Sequence, residues 1–316
     1  MRVAILDDYF NAAFEVGNWS PIEGKAEITV FNEPFAYENA AASALQDFEA
    51  IVGMRERTPF PASLIERLPN LKLLITTGMR NFSFDMEAAK KAGVVVSGTE
   101  SMGHATAELA WALILGLYRN IPVQNQAMHG GQWQVELDND LLGKTLGVVG
   151  LGRLGSQVAK VGNAFGMEVI AWSQNLTQER AAECGARRVE KDELMAKADV
   201  ISIHLILADR TRGLIGAAEI ARMKPTAYLV NTSRGPIVDT AALVDALREN
   251  RIAGAAVDVY DVEPAPADHP LRGLDNALLT PHMGYVTAEN LGQMYNQAAE
   301  DIAAFIAGDP IRVLNG

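Results

Sequence analysis

Short runs of apolar, mostly β-branched residues alternate along the chain with polar turns and with segments whose apolar residues recur every three to four positions. The first runs are RVAIL, AEITVF, FEAIVG, LKLLITT and GVVVSG. Apolar runs this short, bounded by turns, read as strands buried on both faces, as in a parallel sheet. The segments FPASLIERL and DMEAAKKA between them carry helical periodicity. Together they predict an α/β unit of roughly 100 residues.

A second series starts at KTLGVVG and continues through MEVIAW, DVISIHL, AYLVNTS, AGAAVDVY and ALLTP. Helical stretches such as LGSQVAKVGNAFG, KDELMAKA, AAEIARM and TAALVDALREN separate these six runs. Six strands joined by helices predict a doubly wound parallel sheet. Between the two series, HATAELAWALILGLYRN is apolar on nearly every face. That pattern predicts a helix buried between domains or subunits. After TPHMGYVT, the helical segment AENLGQMYNQAAEDIAAFIAG is expected to return to the first unit. The expected organisation is therefore a domain of residues 101–285 inserted into one built from residues 1–100 and 286–316.

Composition narrows the function classes. A chain of 316 residues with 49% hydrophobic residues can bury two cores. Its 27 basic and 39 acidic residues give a net charge of −12, with no polybasic run. Nucleic acid and anionic membranes are thus not expected partners. Cys184 is the only cysteine, which excludes an intrachain disulfide and any CxxC metal site. The opening MRVAILDDYF offers only a short apolar run before two aspartates, and no run has transmembrane length. The expectation is a cytoplasmic protein.

The stretch TLGVVGLGRLGSQVA places Gly150, Gly152 and Gly155 at G-x-G-x-x-G spacing, on the first strand-to-helix turn of the second series. In that setting the motif reads as a dinucleotide site. Gly150 permits the tight turn, Gly152 lets a pyrophosphate approach the backbone, and Gly155 lets the helix pack on the strand. The helix opening at Arg153 and Leu154 offers N–H groups and a positive dipole end. Arg153 either adds charge there or is solvated. The next strand ends in Ser173, Gln174 and Asn175. No acid is present to hold a ribose 2′-hydroxyl and no arginine to hold a 2′-phosphate, so NAD and NADP both stay open.

Strand ends of an open α/β sheet face the ligand crevice. Four of them supply His204 and Thr211, Thr232 and Arg234, Asp258 and Glu263, and His282. Arg234 offers a planar, permanently charged fork for a carboxylate. His282 can donate a proton near neutral pH, and Glu263 on its other ring nitrogen would fix the tautomer. No cluster of metal ligands is apparent.

In order and spacing, LLGKTLGVVGLGRLGSQVA, AFGMEVIAW, MKPTAYLVNTSRGPIVD, AGAAVDVYDVEP and TPHMGY resemble the signatures of the D-isomer-specific 2-hydroxyacid dehydrogenase family, and the match runs over essentially the whole chain. The resemblance implies two doubly wound parallel-sheet domains, a Rossmann-type dinucleotide-binding domain inserted into a flavodoxin-like substrate domain. It implies an NAD(P)-dependent reduction of a 2-oxo acid to a D-2-hydroxy acid. Arg234 becomes the substrate-binding arginine, Glu263 the carboxylate partner and His282 the acid/base. Ser173, His204, Thr211, Thr232 and Asp258 join the glycine turn as cofactor contacts, and a homodimer through the long apolar helix is expected.

The family holds the substrate carboxylate on backbone N–H groups of a glycine loop, which corresponds to TTGMRNFSFD here. Gly78 and Met79 match it, but Arg80 stands where the family has a second glycine. Arg80 either reaches a second acidic group on the substrate or points to solvent; Arg55 and Arg57 lie after a neighbouring strand. His104 opens the apolar helix, while His129 and His269 read as loop residues. Two other readings compete: a dinucleotide-sensing corepressor-like protein and a phosphite-oxidising relative. Formate-oxidising relatives carry glutamine at the position of Glu263, which argues against that activity.

Overall fold

The computed structural model describes residues 1–316. The chain divides into two compact units, Met1–Met102 with Tyr285–Gly316, and Gly103–Gly284.

In the first unit, strands β1 (Arg2–Ile5), β2 (Glu27–Val30), β3 (Ala50–Gly53), β4 (Leu73–Thr76) and β5 (Val95–Gly98) form one parallel sheet. Their order is β2-β1-β3-β4-β5, the flavodoxin-like arrangement, with its switch point between β1 and β3. Side chains alternate across the sheet as the pleat requires. Ala4, Leu6, Ile51, Leu74 and Val96 pack on one face with the helices Glu38–Leu45, Ala62–Ile65 and Met86–Lys91. Val3, Ile5, Val52, Leu73 and Ile75 pack on the other, against Leu291, Met294, Tyr295, Ala298 and Ile302 of the helix Ala288–Ala307. Burial on both faces is why these strands read as continuous apolar runs. That long helix starts where the Thr287 side chain accepts a hydrogen bond from the Asn290 N–H, and it stops at Gly308, whose φ of 85° suits a glycine. Parallel strands bring the segments after β1, β3 and β4 to one edge of the sheet.

The second unit carries seven parallel strands: β6 (Thr145–Val149), β7 (Glu168–Trp172), β8 (Arg187–Arg188), β9 (Val200–Ile203), β10 (Tyr228–Asn231), β11 (Gly254–Val257) and β12 (Ala277–Leu279). The order β12-β11-β10-β9-β6-β7-β8 is that of a Rossmann sheet, which reverses between β6 and β9. The pattern of apolar runs predicts six strands here. The seventh, β8, is a two-residue edge strand of arginines paired to Ile170 and Ala171, and it carries no apolar signal.

The helix Ala105–Tyr118 packs within the second unit. Its apolar residues are consumed inside the second unit's own core: Ala107, Ala110, Trp111, Leu113, Ile114 and Tyr118 are buried with Leu146, Val148, Val158, Val230 and Ala256. It packs on the helix Arg153–Ala164 and on β10, β11 and β12, and the Trp111 indole N–H donates to the Val158 carbonyl at 3.2 Å. A helix clamped between a sheet and a second helix has few polar faces, and this produces the same pattern as burial between subunits.

Candidate active site

The glycine turn follows β6. Gly150 has φ +99°, and a Cβ on it would sit 2.8 Å from the His204 carbonyl oxygen. A Cβ on Gly155 would collide with the Gly150 carbonyl, whereas one on Gly152 would meet nothing within 4 Å. Two glycines thus allow close backbone packing and the middle one leaves open space beside the helix start. The helix Arg153–Ala164 begins at Gly152 with no side chain capping it. Its first N–H groups, those of Arg153 and Leu154, retain their capacity for an anion. The Arg153 guanidinium lies against Gly103.

Around this turn, the remaining expected cofactor residues fall into three situations. Ser173 is half-buried just past β7, where Leu176 N–H donates to the Ser173 carbonyl at 3.1 Å. His204 follows β9, and one ring nitrogen contacts the Ser202 hydroxyl at 2.8 Å. Burial pushes this imidazole down to about 4, so it is neutral near pH 7. Thr211 is buried, and its hydroxyl is occupied by its own loop, accepting from Ala208 N–H at 2.8 Å and lying 2.8 Å from the Ile206 carbonyl. Thr232 differs: it is buried and its hydroxyl has no partner. Buried polar atoms are rarely left unpaired, so an open cradle at Gly152 and an orphaned hydroxyl at Thr232 fit a bound dinucleotide.

The three expected catalytic residues converge within this second unit. Arg234 follows β10, where Asn231 shapes the turn by donating from Nδ2 to the Arg234 carbonyl at 3.0 Å and accepting from Ser233 N–H at 3.1 Å. Ser233 in turn donates to the Leu205 carbonyl. Glu263 follows β11; its Oε1 accepts from Tyr260 N–H at 2.8 Å and its Oε2 lies 2.5 Å from His282 Nδ1. Burial alone would raise the Glu263 carboxyl. The hydrogen bond and charge of His282, the Tyr260 N–H and the charge of Arg234 outweigh it, and the carboxyl is held below its ordinary value. With Nδ1 committed to Glu263, Nε2 is the ring nitrogen directed away from the carboxylate.

His282 has φ +51°, a left-handed conformation uncommon for a residue with a side chain. Asp258 explains how it is held. This fully buried carboxylate accepts from the Thr280 hydroxyl at 2.6 Å, from Met283 N–H at 2.9 Å and from Gly284 N–H at 3.0 Å. Burial raises its pKa against those bonds and the nearby His282 charge. Thr106 fastens the same turn, donating to the Gly284 carbonyl at 2.9 Å. The side chain of Asp258 is thus tied to the His282 turn, a tie visible only once residues 24 positions apart meet.

On the first unit, the loop after β4 contains Gly78, whose φ is +151°. Arg55, from the end of β3, donates from Nη1 to the Thr77 carbonyl at 3.0 Å, and its guanidinium fills the space where a Gly78 side chain would stand. Asn81 ties the two loops, donating to the Arg55 carbonyl at 2.6 Å and to the Thr76 hydroxyl at 2.9 Å. Met79 and Arg80 are exposed. Arg57 donates to the Asp7 carbonyl at 2.8 Å and lies 4.3 Å from the Tyr9 ring centroid and 5.6 Å from that of Tyr285. Asp7, Tyr9 and Asn81 escaped the sequence reading because single polar residues after strands are common and carry no spacing signal.

Residues 111–284 match the model of the D-isomer specific 2-hydroxyacid dehydrogenase NAD-binding domain. The chain belongs to this family. It is similar to a glyoxylate reductase from Aeropyrum pernix, 38% identical over 87% of this chain and 85% of the relative. It is also 39% identical to a D-3-phosphoglycerate dehydrogenase from Archaeoglobus fulgidus over 84% of this chain, which spans about half, 51%, of that longer enzyme. Among solved structures, a putative D-3-phosphoglycerate dehydrogenase from Ralstonia solanacearum superposes with a TM-score of 0.94 at 36% identity, covering 99% of this chain and 96% of that one. As a D-2-hydroxyacid dehydrogenase the protein is an oxidoreductase using a nicotinamide dinucleotide.

The neutral, half-buried His204 carries one expectation for stability. Between its ordinary value of 6.5 and about 4, the unfolded chain takes up a proton that the folded chain refuses. Stability should therefore fall as pH drops through that window. His204→Asn is expected to flatten this part of a thermal-stability profile; a wild-type slope in the variant would contradict it.

Proposed function

We propose that the protein reduces a small 2-oxo acid to the D-2-hydroxy acid, with His282 as proton donor. The observation that carries this is the 2.5 Å contact between His282 Nδ1 and Glu263 Oε2. Glu263, held ionised near neutral pH, stabilises the imidazolium and presents Nε2 to the substrate's C2 oxygen. Arg234 binds the substrate carboxylate and polarises the C2 carbonyl through its charged fork. When bound at the glycine turn, the reduced dinucleotide supplies the hydride for C2. Its pyrophosphate would lie on Gly150, Gly152, Arg153, Leu154 and Gly155, with Ser173, His204, Thr211, Thr232 and Asp258 lining the remainder. On the first unit, by family resemblance, the backbone N–H groups of Gly78, Met79 and Arg80 are substrate contacts, with Arg55 bracing their loop.

The residues after β7 support use of both NADH and NADPH. Ser173, Gln174 and Asn175 bring no charge. The guanidinium of Arg188, which donates to the Leu176 carbonyl at 2.9 Å, is matched by Glu190 at 3.0 Å. Toward a 2′-phosphate the Arg188 guanidinium and the Glu190 carboxylate offset one another.

The reading also includes a homodimer, formed through the segment 121–142. That segment exposes Ile121, Trp133, Leu137 and Leu142, with Leu137 at 93% and Trp133 at 75% of full exposure. Large apolar side chains exposed to water favour association.

His282→Ala is expected to lower kcat by ~10²–10⁴-fold while leaving dinucleotide affinity unchanged; wild-type turnover in that variant would refute the assignment. For Glu263→Gln, loss of the anion disfavours the protonated ring. The alkaline limb of the kcat/KM profile for reduction should move to lower pH, and an unmoved limb would detach Glu263 from His282. Fluorescence titration should give dissociation constants for NADH and NADPH within about tenfold of each other, as expected where only a surface ion pair distinguishes them. A larger gap would show that a specific group reads the 2′ position. Sedimentation equilibrium should report the mass of two 34.1 kDa chains; a single-chain mass would exclude the dimer.

A further inference from the structure

Tyr260 touches the supports of all three catalytic residues. Its backbone N–H donates to Glu263 Oε1 at 2.8 Å. Its hydroxyl lies 2.9 Å from the Thr280 carbonyl and 3.1 Å from the Val257 carbonyl, so one phenol proton is shared between the ends of β11 and β12. Thr280 stands two residues before His282, and its own hydroxyl is the one that Asp258 accepts. Gly235, next to Arg234, packs so closely on the Tyr260 backbone that a Cβ there would collide with it, meeting Asp261 N at 2.7 Å. The His269 ring stands edge-on to the Tyr260 ring, with centroids 5.3 Å apart.

We infer that Tyr260 is a positioning residue that sets the register between Glu263 and His282, through a hydroxyl that ties the strand entering the His282 turn to the strand leaving toward Glu263. The backbone of Tyr260 fixes the carboxylate from one side. The hydroxyl fixes the carbonyl that leads to the imidazole from the other. A ring without the hydroxyl keeps the packing on Gly235 and His269 but releases Thr280. Burial pushes the phenol up to about 12, so it retains the proton it donates across the working pH range. The residue touches neither reacting atom, and its effect passes entirely through the Glu263–His282 contact. Gly235, next to Arg234, packs on the Tyr260 backbone and not on its hydroxyl, so substrate grip should survive loss of the hydroxyl.

This inference rests on the proposed roles of Arg234, Glu263 and His282, and the test separates the two. Tyr260→Phe is expected to lower kcat about three- to tenfold, the worth of one shared hydrogen bond. KM for the 2-oxo acid and dinucleotide affinity should stay at wild-type values. The alkaline limb of the pH profile should move in the same direction as in Glu263→Gln, and by less. Combined with Glu263→Gln, it should cost nothing further, because both act on one contact. Introducing 4-aminophenylalanine at position 260, which restores an N–H donor on the same ring, should recover the profile. An unmoved limb, a loss that adds fully to that of Glu263→Gln, or no recovery with the donor restored would each overturn the role of Tyr260. If His282→Ala itself keeps wild-type turnover, the catalytic assignment fails first, and any effect of Tyr260 has another origin.

Discussion

A carboxylate and an imidazole 2.5 Å apart, both shielded from much of the solvent, are the interaction on which the second unit's proposed chemistry depends. Bringing Glu263 out of water costs free energy. The hydrogen bond from His282, the Tyr260 N–H and the nearby Arg234 charge offset that cost and keep the carboxyl ionised. The pair can do this only if His282 is held in its left-handed backbone conformation. Asp258, the Thr280 hydroxyl, two backbone N–H groups and Thr106 hold it there. A single buried aspartate thus anchors the His282 turn.

The folds supply what this arrangement needs. A parallel sheet sends every strand out at the same edge, so Arg234, Glu263 and His282, which follow β10, β11 and β12, arrive side by side without any local sequence proximity. The same geometry sets the glycine turn after β6 beside His204 after β9, at the point where the sheet order reverses. In the first unit, the segments after β1, β3 and β4 gather in the same manner, and Asn81, Arg55 and Arg57 lock them to one another.

Much of this was legible in the chain because the signals were local or periodic. Continuous apolar runs marked eleven of the twelve strands, and the glycine spacing marked the nucleotide turn. Arg234, Glu263 and His282 were legible as candidates because each lies a few residues past such a run. What was not legible depended on distant partners. The strand of Arg187 and Arg188 has no hydrophobic signal, since an edge strand needs only backbone pairing. The helix Ala105–Tyr118 is apolar on nearly every face because it is packed into its own unit's core, a pattern that burial between two units would share. Tyr260 resembled any aromatic residue after a strand until Gly235, Glu263 and Thr280 were seen around it. The neutrality of the loop after β7 likewise required Glu190 to be found beside Arg188.

The central claim is that this site transfers a hydride to a 2-oxo acid. The most direct test follows the loss of near-ultraviolet absorbance of NADH, and separately NADPH, with the purified protein against glyoxylate, hydroxypyruvate, pyruvate and bulkier 2-oxo acids, with the chirality of the product determined. Clear turnover with at least one of these acids and a product of D configuration is expected. Tight dinucleotide binding with no turnover on any of them, or a product of L configuration, would contradict it.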